Sequence, residues 1–190
     1  MQRLVLLLLA CAMPVAAQEI RTDDFVKRQS DGILIQDPDA PISFRLPEGW
    51  VLSKGQRWGD HETTLWFEDA DSHLLFTLYY QYPLNPKTAG DAVAALRQAI
   101  DAKVKQRRES EGIADYRVRE GSIRNLKVAG HPAMSYIGEF TREDGAGREY
   151  MLRALGNDAK GHFFVIMPAT ADLDGAMKKI EGAASTLRLP

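Results

Sequence analysis

The sequence predicts an α+β fold, a mainly antiparallel β-sheet covered by two amphipathic helices. Three observations carry that expectation. Runs with a two-residue period, such as residues 42–46 and 133–141, alternate with short stretches rich in Gly, Asp and Pro. Two other stretches repeat apolar residues at intervals of three and four, the spacing of a helix with one buried face. No internal repeat, low-complexity tract or linker divides the 190 residues, so both helices must cover the same sheet.

The strand at residues 42–46 anchors the pattern. Ile42, Phe44 and Leu46 alternate with Ser43 and Arg45, and Pro47-Glu48-Gly49 then turns the chain so that Trp50 and Leu52 open a second strand through a hairpin or tight corner. Upstream, residues 18–31 read as a polar leader with Ile20, Phe25 and Val26 as anchors, and residues 33–35 as a short strand. Residues 63–68 and 73–82 are β-branched and aromatic and flank an Asp/Ser turn, which makes them a hairpin. The second of these strands is apolar on both faces near its centre, as a middle strand is.

Thr88 caps the first helix, and Ala89, Val93, Leu96, Ile100 and Val104 form its stripe. After weak strands at residues 116–124 and 126–128, Gly130-His131-Pro132 turns into a strand at 133–141. A loop at 143–147 leads to a returning strand at 148–155, and a turn at 156–161 leads to the apolar strand 162–167. These are three consecutive antiparallel strands. Thr170 caps a final helix with Leu173, Met177, Ile180, Ala184 and Leu187 on one face.

With 45% hydrophobic and 26% charged residues the composition is that of a globular domain rather than a disordered chain. The formal charge of −2 and the absence of any long basic block exclude a nucleic-acid footprint from the linear pattern. Residues 1–17 have the form of a secretory signal: Arg3, an apolar run over residues 4–12, and small residues before a cleavage site between Ala17 and Gln18. That run is too short to cross a bilayer, which takes about 20 apolar residues. The expected localisation is periplasmic or secreted, with no transmembrane segment in the mature chain. Leu8-Leu9-Ala10-Cys11 gives an alternative, since it resembles the lipobox of bacterial lipoproteins, with Cys11 as the lipidated residue. With cleavage after Ala17 the mature chain has no cysteine, and its core must hold it without a disulfide.

The Leu46-Pro47-Glu48-Gly49-Trp50 and Val128-Ala129-Gly130-His131-Pro132-Ala133 motifs, with the order of elements around them, resemble the PsbP-like superfamily over most of residues 32–189. That group holds photosystem II extrinsic subunits, a nuclear Ran-binding factor and bacterial exported proteins. The resemblance implies an α/β/α sandwich and non-catalytic binding or assembly roles. It carries no binding residue onto this chain.

Among candidate sites, Trp58 stands in the polar run 54–60 beside Arg57, and Trp and Arg are the types enriched at binding hot spots. They are the expected anchors for an envelope protein or a small ligand, bound by a monomer. His61, Asp71 and His73 form a weak candidate cation site at neighbouring strand ends, and with it an alternative reading as a metal-dependent hydrolase. No Gly-x-Ser-x-Gly stretch and no P-loop lysine are present, so neither motif assigns a nucleophile or a phosphate cradle. The expectation is a non-enzymatic protein without a cofactor.

Overall fold

The computed structural model describes residues 17–59, 62–70, 75–84, 92–142, 145–158, 161–169 and 173–188. Twelve strands and two α-helices follow one another among them: β1 (Ala17–Glu19), β2 (Val26–Gln29), β3 (Gly32–Gln36), β4 (Ser43–Pro47), β5 (Trp50–Trp58), β6 (Glu62–Asp69), β7 (Leu75–Leu84), α1 (Ala92–Glu109), β8 (Arg117–Val118), β9 (Arg124–Val128), β10 (His131–Arg142), β11 (Gly145–Asp158), β12 (Gly161–Ala169) and α2 (Leu173–Ser185). The large sheet runs β1-β5-β6-β7-β12-β11-β10-β8, with β9 pairing the first half of β10, and β2-β3-β4 form a second, smaller sheet. Every strand pairing among the described residues is antiparallel, so the fold is α+β as the periodicities require.

The stretch from Ile42 to Trp50 is a corner between sheets. Its first half, β4, pairs with β3, and its second, β5, pairs with β6. Phe44 and Leu46 therefore face the inner side of the large sheet, where Phe44 meets Phe67 edge-on at 5.5 Å and Phe67 stacks on Phe76 at 4.7 Å. Trp50 closes the group against Phe76 at 4.9 Å. Such pairs add about 0.5–1.5 kcal/mol each beyond area burial. α2 completes this layer with Ile180, Ala183 and Ala184, and Leu187, expected on the helix, lies two residues past its end and is buried with them.

Residues 18–31, expected as a leader, are built into the domain instead. Val26–Gln29 pairs with β3, Phe25 is buried in the main core, and Ile20 packs against Gly55. Strand β3 is the short strand expected at residues 33–35, whereas β2 was missed because its four residues hold one apolar side chain and show no period. Ala17 and Gln18, where cleavage is expected, lie in β1 opposite Trp58 and Arg57. The weak strand expected at 116–124 is two short pieces, since the chain turns at Glu120-Gly121 between β8 and β9. Ala129 and Gly130 both have positive φ, 50° and 84°, the backbone of a two-residue hairpin turn, so His131 begins β10 rather than standing in the turn. Thr88 and Thr170, the expected caps, lie outside the described residues.

α1 covers the opposite face of the large sheet over β10 and β11. Leu96 and Ile100 are its buried residues, packed with Met134, Tyr136, Met151 and Leu155. Val93, expected in the stripe, is 41% exposed. From Ile100 onward the helix turns Lys103 and Arg107 toward the sheet, which continues the three-and-four spacing with cations in place of aliphatic residues.

Candidate functional site

Polar groups collect where α1 leaves the apolar part of the sheet. On β11, Glu149, Met151, Arg153 and Leu155 alternate onto the α1 side, because successive side chains of a strand point to opposite faces. Glu149 is 1% exposed, and its carboxylate accepts from Arg107 through both ends of the guanidinium, Nη2 at 2.5 Å and Nε at 3.3 Å. The Tyr116 hydroxyl donates to the same carboxylate at 2.6 Å. Arg107 also pairs with Glu111, one turn further along the chain. A buried charge needs such satisfaction, since an ion left unpaired in the interior costs several kcal/mol.

Gly138 makes this arrangement possible. A Cβ there would stand 2.2 Å from the Tyr116 hydroxyl and 2.7 Å from its ring carbon, so only glycine lets the phenol cross the strand to Glu149. The chemistry follows from burial. Burial above all, then the neighbouring Tyr136 and Glu149, push the Tyr116 pKa well above the usual phenol range. Tyr136 is pushed up to about 12, again chiefly by burial. For Arg107, burial alone would lower the pKa, but Glu149 and Glu111 together outweigh it and the value lies above normal.

A cavity of about 420 Å³ opens beside this network, between α1 and strands β7 and β11. Three cations line it: Arg153 from the sheet, and Lys103 and Arg107 from the helix. Thr77 and Tyr79 on β7 and Gln106 on α1 add polar groups, and Met151 adds an apolar wall. Tyr79, Ile166 and Arg153 occupy one register row across β7, β12 and β11, which fixes Tyr79 and Arg153 two strands apart on the same face. Arg153 is 6% exposed. Burial lowers its pKa, and the phenols of Tyr136, Tyr116 and Tyr79 act against that shift. Burial and then Glu62 push the Tyr79 phenol above its usual range, so it stands as a neutral hydroxyl.

The opposite layer holds a second buried network. Asp37 is 4% exposed and accepts from the Tyr80 hydroxyl and from Arg57, whose Nη2 lies 2.9 Å from Oδ1 and 3.1 Å from Oδ2. Arg57 also pairs with Asp39. This network ties the connection between β3 and β4 to strands β5 and β7.

No family model matches the sequence, and no curated protein matches it. Solved structures do. Cyanobacterial PsbP (CyanoP) from Synechocystis sp. PCC 6803 superposes with a TM-score of 0.56 at 12% identity, over 86% of this chain and 95% of that one. The fold is PsbP-like. A protein of Bacteroides thetaiotaomicron VPI-5482 matches with a TM-score of 0.55 and 17% identity over 84% of this chain, which spans only 49% of that protein's length. LpqN of Mycobacterium tuberculosis, a protein involved in cell envelope biogenesis, gives a TM-score of 0.43 at 13% identity, over 90% of this chain and 87% of that one.

Within this PsbP-like frame the sequence-predicted residues fall apart. Trp58 ends β5, paired with Glu62 and Ala17, and is 39% exposed. Arg57 beside it points to the other face and belongs to the Asp37 network. His61, Asp71 and His73 lie outside the described residues, as does Cys11. The cavity residues were not singled out by sequence reasoning. Their signal was available: Glu149 and Arg153 at alternating positions of an otherwise apolar strand, and two cations at helical spacing from Leu96 and Ile100.

Proposed function

We propose that this chain is a non-catalytic binding or accessory module exported to the cell envelope, and that its ligand occupies the cavity beneath α1. The observation that carries the reading is the chemistry of the lining. Its arginines are donors that stay protonated and its phenol is a neutral hydroxyl, so these groups hold a ligand without taking a proton from it at neutral pH, while Lys103, its pKa lowered by burial, pairs with Glu111. Glu149, the nearest carboxylate on the same strand face, is tied to Arg107 and Tyr116. Preformed concave sites between a helix and a sheet, with a few convergent polar groups, are where small ligands bind.

Export is supported by the signal-like residues 1–17, and an accessory rather than catalytic role is in keeping with the PsbP-like fold. No helix among the described residues is long and apolar enough to cross a membrane. The test is equilibrium dialysis of the purified protein against a small-molecule extract of the envelope fraction of its host, with both compartments profiled by mass spectrometry. Retention of a compound in unchanged form on the protein side is expected. Conversion of a compound into a new mass that accumulates with time, or no retention of any compound, overturns the reading.

A further inference from the structure

We propose that the cavity beneath α1 holds its ligand by an oxyanion, a carboxylate or a phosphate, between Arg153 on the sheet side and Lys103 on the helix side. This rests on the cavity being the binding site. Among the described residues the lining carries three cations and no carboxylate, and Glu62, which pairs with the Tyr79 hydroxyl, lies next to it. Glu149 and Glu111 hold Arg107, which leaves that guanidinium in the lining as a supporting positive charge already paired. Lys103 is held loosely by comparison, with Nζ 3.2 Å from Gln106 Oε1 and 3.4 Å from Glu111 Oε1, distances that an anionic partner can better.

The electrostatics agree with the geometry. Burial, followed by the charge of Arg107, holds the Lys103 pKa below its usual value although Glu111 and Glu149 act against it. Burial, with the charge of Arg107 added to it, therefore outweighs the two carboxylates at that ammonium. An anion placed between Lys103 and Arg153 would relieve both, and in a site shielded from water the attraction is several times stronger than on the surface. A guanidinium also matches the two oxygens of a carboxylate or phosphate. Met151 and the ring of Tyr79 offer apolar contact to the carbon part of such a molecule. The volume of about 420 Å³ suits an organic anion, since a single atomic ion would leave most of it empty.

The experiment is an NMR titration of the whole mature chain, following backbone amides and arginine Nε–H signals, with three probes: inorganic phosphate, succinate, and neutral succinamide. Saturable shifts confined to Thr77, Tyr79, Lys103, Met151 and Arg153 are expected with phosphate, with succinate or with both, and none with succinamide. A stronger response to phosphate assigns a phosphate ester, and a stronger response to succinate an organic acid. Lys103→Gln is expected to weaken binding about tenfold or more, the worth of one charge-assisted bond. Arg153→Gln is expected to abolish it, and Arg153→Lys to restore part of it if the folded spectrum is kept. Equal binding of succinamide, absence of saturable shifts with both anions, or unchanged affinity in Lys103→Gln overturns the anion assignment. A neutral or cationic compound retained in the dialysis would then leave the binding reading standing without it.

Discussion

The two faces of the large sheet solve the same burial problem with opposite chemistry. The face toward α2 and the small sheet is filled by Phe44, Phe67, Phe76, Leu65, Leu78 and Ile180, which need only to exclude water and each other's voids. The face toward α1 begins in the same way with Leu96, Ile100 and Met134, and then gives way to Glu149, Arg107, Tyr116 and Arg153 beside a cavity. A dry layer is stabilised by area and shape. A wired layer is stabilised only while every charge keeps its partner, and that is the kind of layer able to exchange an internal partner for a ligand.

Removing one group from each face gives the sharpest test. Phe67→Ala is expected to cost about 3–5 kcal/mol through the cavity it leaves. Glu149→Ala is expected to cost a similar amount, about 3–5 kcal/mol, for a different reason, because it strands Arg107 and the Tyr116 hydroxyl. Urea unfolding separates the two mechanisms when Arg107→Ala is added. The second substitution should recover part of the loss in Glu149→Ala and none in Phe67→Ala, and strict additivity at both places would break the comparison.

A smaller change attacks the wired face through its geometry. Gly138→Ala is expected to cost about 1–3 kcal/mol by overpacking. It should also bring the Tyr116 phenol nearer to its ordinary titration range in an ultraviolet pH titration, since a Cβ there displaces the ring from Glu149. An unshifted titration would mean that the phenol reaches Glu149 by another path.

The third test is a pH dependence that only the wired face has. Burial and Arg107 hold Lys103 below its usual pKa, so the unfolded chain binds that proton more tightly than the folded one. Stability should therefore rise with pH between the depressed folded value and about 10.4, the unfolded value. Glu111 acts at the acid end. Burial alone would raise its pKa, but Arg107 and Lys103 outweigh this and lower it, so its contribution is present above the unfolded value of about 4.3 and is lost as pH falls through the folded one. The difference in unfolding free energy between wild type and Lys103→Met should grow with pH in the alkaline window. A flat difference would remove Lys103 from the buried setting beside Arg107 assigned to it.

The least effect on stability is expected at Trp58, which lies outside both layers. Trp58→Ala should change unfolding by about 0.5 kcal/mol or less, in keeping with an exposed strand end. If Trp58 anchors an envelope partner, pull-down with the variant should nevertheless weaken. Unchanged capture would leave the cavity as the binding surface under test.

Much of the dry face was legible in the chain. Phe44 and Leu46 on one strand and Ile180 and Ala184 on one helix declare their buried sides by period alone, because burial of apolar residues is a local pattern repeated at the spacing of the backbone. The PsbP-like order of elements followed from those periods and from the Pro47-Glu48-Gly49 corner. Two features were not legible. One is β2, too short to show a period and placed against β3 only once Phe25 finds the core; the other is the charged network under α1.

The wired face shows why the site was missed. Residues 107, 116, 138, 149 and 153 are spread over a helix, a turn and two strands, and nothing in their local sequence distinguishes a buried Glu or Arg from a solvated one. What the sequence determined by itself was period, turn chemistry and the α+β class, all of which depend on neighbours in the chain. Only the tertiary structure decided that Arg107 and Tyr116 meet Glu149 and that Arg153 lines a cavity with Lys103, because electrostatic pairing depends on distance in space and on the water excluded there.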